Sequence, residues 1–76
     1  MKKVKINLNS ITAVKDFVGI VMLYDFDVDL VSGRYAVDAK SIMGIFSLDL
    51  GNPIQLVAHT EDVGDFFDKI KPFIVE

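Results

Sequence analysis

The residues of this chain that could do chemistry are Ser10, Ser41 and His59. Ser41 stands directly ahead of Ile42-Met43-Gly44-Ile45-Phe46, and Ser10 directly ahead of the apolar-periodic run that opens at Ile11. A serine in that place caps a helix, because its side-chain oxygen accepts from a backbone N–H of the first turn. A phosphate added to Ser41 would meet free N–H groups and the positive end of a helix dipole, with the charge of Lys40 beside it. A seryl hydroxyl with no base next to it is a weak nucleophile, so no catalytic residue is assigned to either serine. His59 is the one histidine and is followed by Thr60-Glu61-Asp62. An imidazole is a nucleophile near neutral pH, so His59 is a candidate phosphoacceptor. The reading favoured here is a partly exposed strand-end residue close to the carboxylates of Glu61 and Asp62. One histidine among scattered aspartates is no metal set, and without cysteine there is neither a disulfide framework nor a thiolate zinc site. No cofactor, nucleotide or metal is expected.

The elements that position these residues belong to one domain over residues 1–76, since the chain is too short for two cores. Hydrophobic residues make up 51% of it, enough for one core without staples. A net charge of −3 argues against a nucleic-acid partner. Met1-Lys2-Lys3 leads into an alternating segment rather than the apolar run of a secretion signal, and no stretch is long enough to span a membrane. A soluble cytoplasmic domain is the expectation.

Val4, Ile6 and Leu8 alternate with Lys5 and Asn7, which predicts a strand with one wet face. From Ile11 to about Tyr24 the period changes, with Val14, Phe17, Val18 and Val21 on one helical face and Thr12, Lys15, Asp16 and Gly19 opposite. Asp25 to Leu30 alternates again. A turn at Ser32-Gly33-Arg34 and the alternation of Tyr35, Val37 and Ala39 complete a hairpin. A short helix runs from Ser41 to about Leu48. Gly51-Asn52-Pro53 breaks the chain, and Ile54, Leu56 and Ala58 form a fourth strand. The last helix is expected to start near Glu61-Asp62, to bury Val63, Phe66, Phe67 and Ile70, and to end or distort at Pro72. The order β-α-β-β-α-β-α fits an antiparallel sheet with helices on one face, a pattern that several α+β sandwiches share, ferredoxin-like ones among them.

The run Val37-Asp38-Ala39-Lys40-Ser41-Ile42-Met43-Gly44, continued by Ser47-Leu48, resembles the regulatory-serine segment of HPr, the phosphocarrier of the bacterial sugar phosphotransferase system. The likeness is best from about Tyr24 to Thr60. It implies an α+β, HPr-like open-faced sandwich of four antiparallel strands with three helices on one face. HPr carries phosphate on a histidine in a His-Ala-Arg-Pro motif before its first helix. Here the corresponding stretch reads Asn9-Ser10-Ile11-Thr12-Ala13. Counting back from Ser41 places Ser10 at the family's histidine, Thr12 at its arginine and Ala13 at its proline. The resemblance therefore implies a bacterial relative of the phosphocarrier that lacks its phosphoacceptor and acts as a non-catalytic regulator or adaptor; the alternatives are an atypical phosphocarrier that uses another acceptor such as His59, and a diverged structural or oligomerisation module. Ser41 matches the serine that a dedicated kinase phosphorylates in some HPr proteins, whose product binds a transcriptional regulator. Met43 and Phe46 match positions that the family presents to partners.

The apolar excess on the first two helices points the same way. Met22 and Leu23 fall toward the polar side of the first helix, and the short helix is apolar all round. The expectation is one partner-binding surface that includes Met22 or Leu23 and Met43 or Phe46. A homodimer on that surface is the alternative, as is an internal cover formed by Phe73-Ile74-Val75.

Overall fold

The computed structural model describes residues 1–75. Its elements are β1 (Lys2–Ile6), α1 (Ile11–Val21), β2 (Val28–Ser32), β3 (Tyr35–Asp38), α2 (Ile42–Phe46), β4 (Ile54–Ala58) and α3 (Phe66–Lys69), followed by a 3₁₀ turn, Lys71–Phe73. The strands form one antiparallel sheet in the order β1-β4-β2-β3. The register sets Ile6 against Ile54, Leu30 against both Leu56 and Val37, and Val28 against Ala58. These residues share one face of the sheet, because side chains alternate along a strand. Val14, Phe17, Val18 and Val21 of α1, Ile45 of α2, and Phe66 and Ile70 around α3 cover that face and complete the core. The architecture is the expected one: a four-stranded open sheet with three helices.

Several boundaries differ from expectation, each for a local reason. Leu8 is fully buried although β1 ends at Ile6. α1 stops at Val21, and Leu23 and Tyr24 close a tighter turn by donating to the carbonyls of Ile20 and Val21. β2 starts at Val28 instead of Asp25, because Phe26 leaves the sheet for an aromatic cluster with Tyr24 and Phe66. α3 is the largest correction. Asp62 does not open the helix; its carboxylate accepts from the N–H of Gly64, whose φ of 60° is left-handed backbone that suits glycine. The helix begins only at Phe66.

The cluster also fixes the two loops at this end of the sheet. The Tyr24 hydroxyl donates to Asp65 Oδ1 at 2.6 Å. That bond, with lesser contributions from burial and from the charges of Asp65 and Asp68, pushes the phenol up to about 12 from an ordinary 10.0. In a Tyr35→Phe background, tyrosinate absorbance should therefore appear near the raised value, and Asp65→Asn should bring it back toward the ordinary one. The neutral phenol is the form the fold favours, so this contact stabilises the fold below the unfolded pKa and is lost as pH rises through the folded one.

The C-terminal segment does not cover Met22 and Leu23, as was one expectation. It lies along β1: Asn7 N–H donates to the Phe73 carbonyl, Val75 N–H donates to Lys5, and Ile74 bridges Ile6. Phe73 packs edge-on against Phe17.

Candidate functional site

Both serines cap helices. Ser10 is extended (φ −154°, ψ 161°) and its Oγ accepts from Ala13 N–H at 3.0 Å, while its carbonyl takes the first helical bond from Val14. Thr12 is exposed on the first turn. Asn9, Ser10 and Ile11 form one wall of a shallow groove of about 390 Å³, and Phe46, Leu50 and Gly51 form the other.

At the second cap, Ser41 Oγ accepts from Gly44 N–H at 3.0 Å. The preceding turn is fixed by Asp38, whose carbonyl accepts from Ser41 N–H and whose carboxylate accepts from Lys40 N–H. Gly44 is closely approached. A Cβ there would stand 3.1 Å from Ser41 Oγ and 3.2 Å from Val37 Cβ. The Lys40–Gly44 run is thus one structural unit: a turn, a cap, and a glycine that leaves room for the cap. Ser41→Ala is expected to cost about 0.5–2 kcal/mol of stability, and Ser41→Asp to cost less, since a carboxylate also caps and suits the dipole. Urea unfolding of the two variants measures both.

His59 lies at the other end of the sheet from Ser10. α1 starts beyond the end where Ile6 faces Ile54, whereas His59 follows Ala58, which faces Lys2 and Val28. The five residues of β4 separate the two ends by roughly 13–17 Å at ordinary strand rise. Its partner is not Glu61 or Asp62 but Asp29, whose carboxylate oxygen is 2.9 Å from Nε2. Glu61 instead takes the Met1 ammonium at 3.0 Å, and this bond draws its carboxyl below the usual range. The Asp29 contact spans strands thirty residues apart, so no local pattern signals it.

The apolar residues expected at a partner surface are indeed exposed. Met43 is 82%, Leu23 71% and Met22 62% exposed, with Phe46 about half as open as Met43. α1 and α2 pack on each other and start from opposite ends of the sheet, so the end of α2 meets the start of α1. Phe46 and Ile11 therefore line the same groove, an arrangement the sequence reading did not anticipate. The signal was present: Ile11 is apolar yet off the buried stripe. Met22 lies about three turns along the same helix from Ile11 and at nearly the same angle. Among the described residues no group of three or more His, Cys, Asp or Glu side chains is placed to hold a metal ion. No helix among them is long and apolar enough to cross a membrane.

No protein-family model matches this sequence, and none of the curated proteins matches it. Solved structures do. HPr-C-His from Thermoanaerobacter tengcongensis superposes with a TM-score of 0.79 at 26% identity, covering 95% of this chain and 89% of that one. The fold is that of HPr. The phosphocarrier protein HPr from Bacillus anthracis gives a TM-score of 0.76 at 24% identity, covering 97% of this chain and 94% of its own. The likeness to HPr thus extends well beyond the Tyr24–Thr60 segment in which the sequence resemblance is best. It takes in β1, the Ser10 cap and α1. On this HPr fold the start of α1 carries a serine, and the chain's one histidine stands at the far end of the sheet.

Proposed function

We propose that this protein is a non-catalytic adaptor or regulator on the HPr fold, one that binds protein partners through α1 and α2 and is controlled by phosphorylation at Ser41. One observation carries the reading. The start of α1 carries a capping serine, Ser10, and no imidazole or guanidinium stands within the Asn9–Ala13 stretch. A phosphocarrier must release what it accepts. Imidazole is a good leaving group from phosphorus, whereas a seryl phosphate ester is inert, and Thr12 offers no bidentate clamp for a phosphate in transit. Met22, Leu23, Met43 and Phe46 then form the partner surface, with Ile11 across the groove from Phe46. A serine kinase acting at Ser41 and a regulator that reads the product are the partners this implies. The site of action is the cytoplasm, and no cofactor is needed.

The test is incubation with phosphoenolpyruvate and the first enzyme of the phosphotransferase system. The native chain is expected to stay free of acid-labile phosphate, and stoichiometric label would overturn the reading. A second reading rests on the Asp29 contact. With Nε2–H donated to Asp29, His59 keeps a lone pair on Nδ1 and is partly exposed, the state of a nucleophilic imidazole. Label that appears on the native chain and vanishes in His59→Ala would establish that reading instead.

A further inference from the structure

The end of the molecule that exposes Met22 and Leu23 is also rich in unneutralised negative charge. α1 has no Lys or Arg in its last turn, so the helix does not itself offset the negative end of its dipole. Leu23 continues the helical turn by donating to the Ile20 carbonyl. Asp16, roughly two turns earlier, lies on the same side of α1 as Leu23. Asp25 follows two residues on. The α3 side adds Asp65, which holds the Tyr24 hydroxyl, and Asp68, whose charge acts on the same group. Asp16, Asp25 and Asp68 are exposed, and none makes an ion pair among the described residues. Lys15 and Lys69 are the cations adjacent in sequence, and both are also exposed and unpaired there.

We infer that this end docks a protein segment in which an apolar anchor is flanked by Lys or Arg, the anchor seating on Leu23 and Met22 and the cations facing Asp16, Asp25 and Asp68. The inference rests on the adaptor reading and gives it a partner chemistry. Charge complementarity selects this occupant. A second copy is disfavoured, because a two-fold contact here would set the same carboxylates against each other. A purely apolar partner would leave the aspartates and the helix end unanswered.

The experiment is a titration of ¹⁵N-labelled protein with two amphipathic helical peptides of about 18 residues, five turns, sharing one leucine face. One carries lysine on its polar face and the other glutamate. The lysine peptide is expected to shift the amide signals of Leu23, Tyr24, Asp25 and Asp68, and the glutamate peptide to leave them in place. Leu23→Ser should abolish these shifts at unchanged charge. Asp16→Lys combined with Asp68→Lys should weaken binding about tenfold or more. All three substitutions are at exposed positions, and a thermal melt verifies that each variant is folded. Equal shifts with both peptides, no shifts with either, or full binding by Leu23→Ser would each overturn the inference, the last by reducing it to bulk attraction. Shifts centred on Met43 and Phe46 would also overturn it while leaving the adaptor reading intact. Uptake of acid-labile phosphate would instead remove the adaptor reading and leave the peptide result standing.

Discussion

Phe66→Ala is expected to lower the unfolding free energy by about 3–5 kcal/mol, the range for deleting a buried phenyl ring. Phe66 is fully buried. Its ring centroid is 5.0 Å from Tyr24, 5.5 Å from Phe26 and 5.8 Å from Phe67. These contacts join the loop after α1, the approach to β2, and α3. α3 has four residues and no side-chain cap, so it holds its shape only through what Phe66 and Ile70 bury. A domain of this size is stable by roughly 4–11 kcal/mol. The variant should therefore show a much earlier urea midpoint and a native baseline that is short or missing. A midpoint within experimental error of the parent would mean that the ring does not pack as described.

Gly44→Val should cost about 2–4 kcal/mol, from overpacking together with loss of the Ser41 cap. The added Cβ already makes tight contacts with Ser41 Oγ and Val37, and valine puts two methyl groups beyond it. Relief requires moving either β3 or the capping serine. Gly44→Ala separates the two effects, because alanine gains helix propensity of about 1 kcal/mol over glycine while keeping the tight Cβ contacts. Its net loss is expected to be well under that of valine. Denaturation midpoints of the pair, read beside Ser41→Ala, give the ordering. A Gly44→Val variant as stable as the parent would contradict the close approach.

What was legible in the sequence is what local chemistry writes there. Alternation marked β3 and β4, the Val14–Phe17–Val18–Val21 stripe marked α1, and the Ser41–Gly44 cap is a contact between residues three apart. The longer-range contacts were not legible. Asp25 to Leu30 alternates throughout, yet Phe26 lies ahead of β2 and packs beside Phe66. Glu61 and Asp62 suit a helix start, but one pairs with the Met1 ammonium and the other closes a turn on Gly64. Asp29 beside His59, and Phe46 across the groove from Ile11, are consequences of strand order and helix direction, which periodicity does not encode. The fold itself was narrowed from several sandwiches to one by the resemblance over Tyr24 to Thr60, in which the Lys40–Gly44 run is the most specific marker.

The two margins of the sheet are unequal in a way that bears on solubility. β3 is short and ends in exposed Asp38, a poor template for another chain. β1 would be the better template, but the Asn7, Ile74 and Val75 contacts occupy its free side. Trimming from Phe73 onward would bare that row of N–H and C=O groups and uncover one edge of Phe17 at the same time. The shortened protein should then form strand-mediated oligomers and bind amyloid dyes at concentrations where the whole chain does not. The Phe73–Val75 segment thus serves as a guard against aggregation.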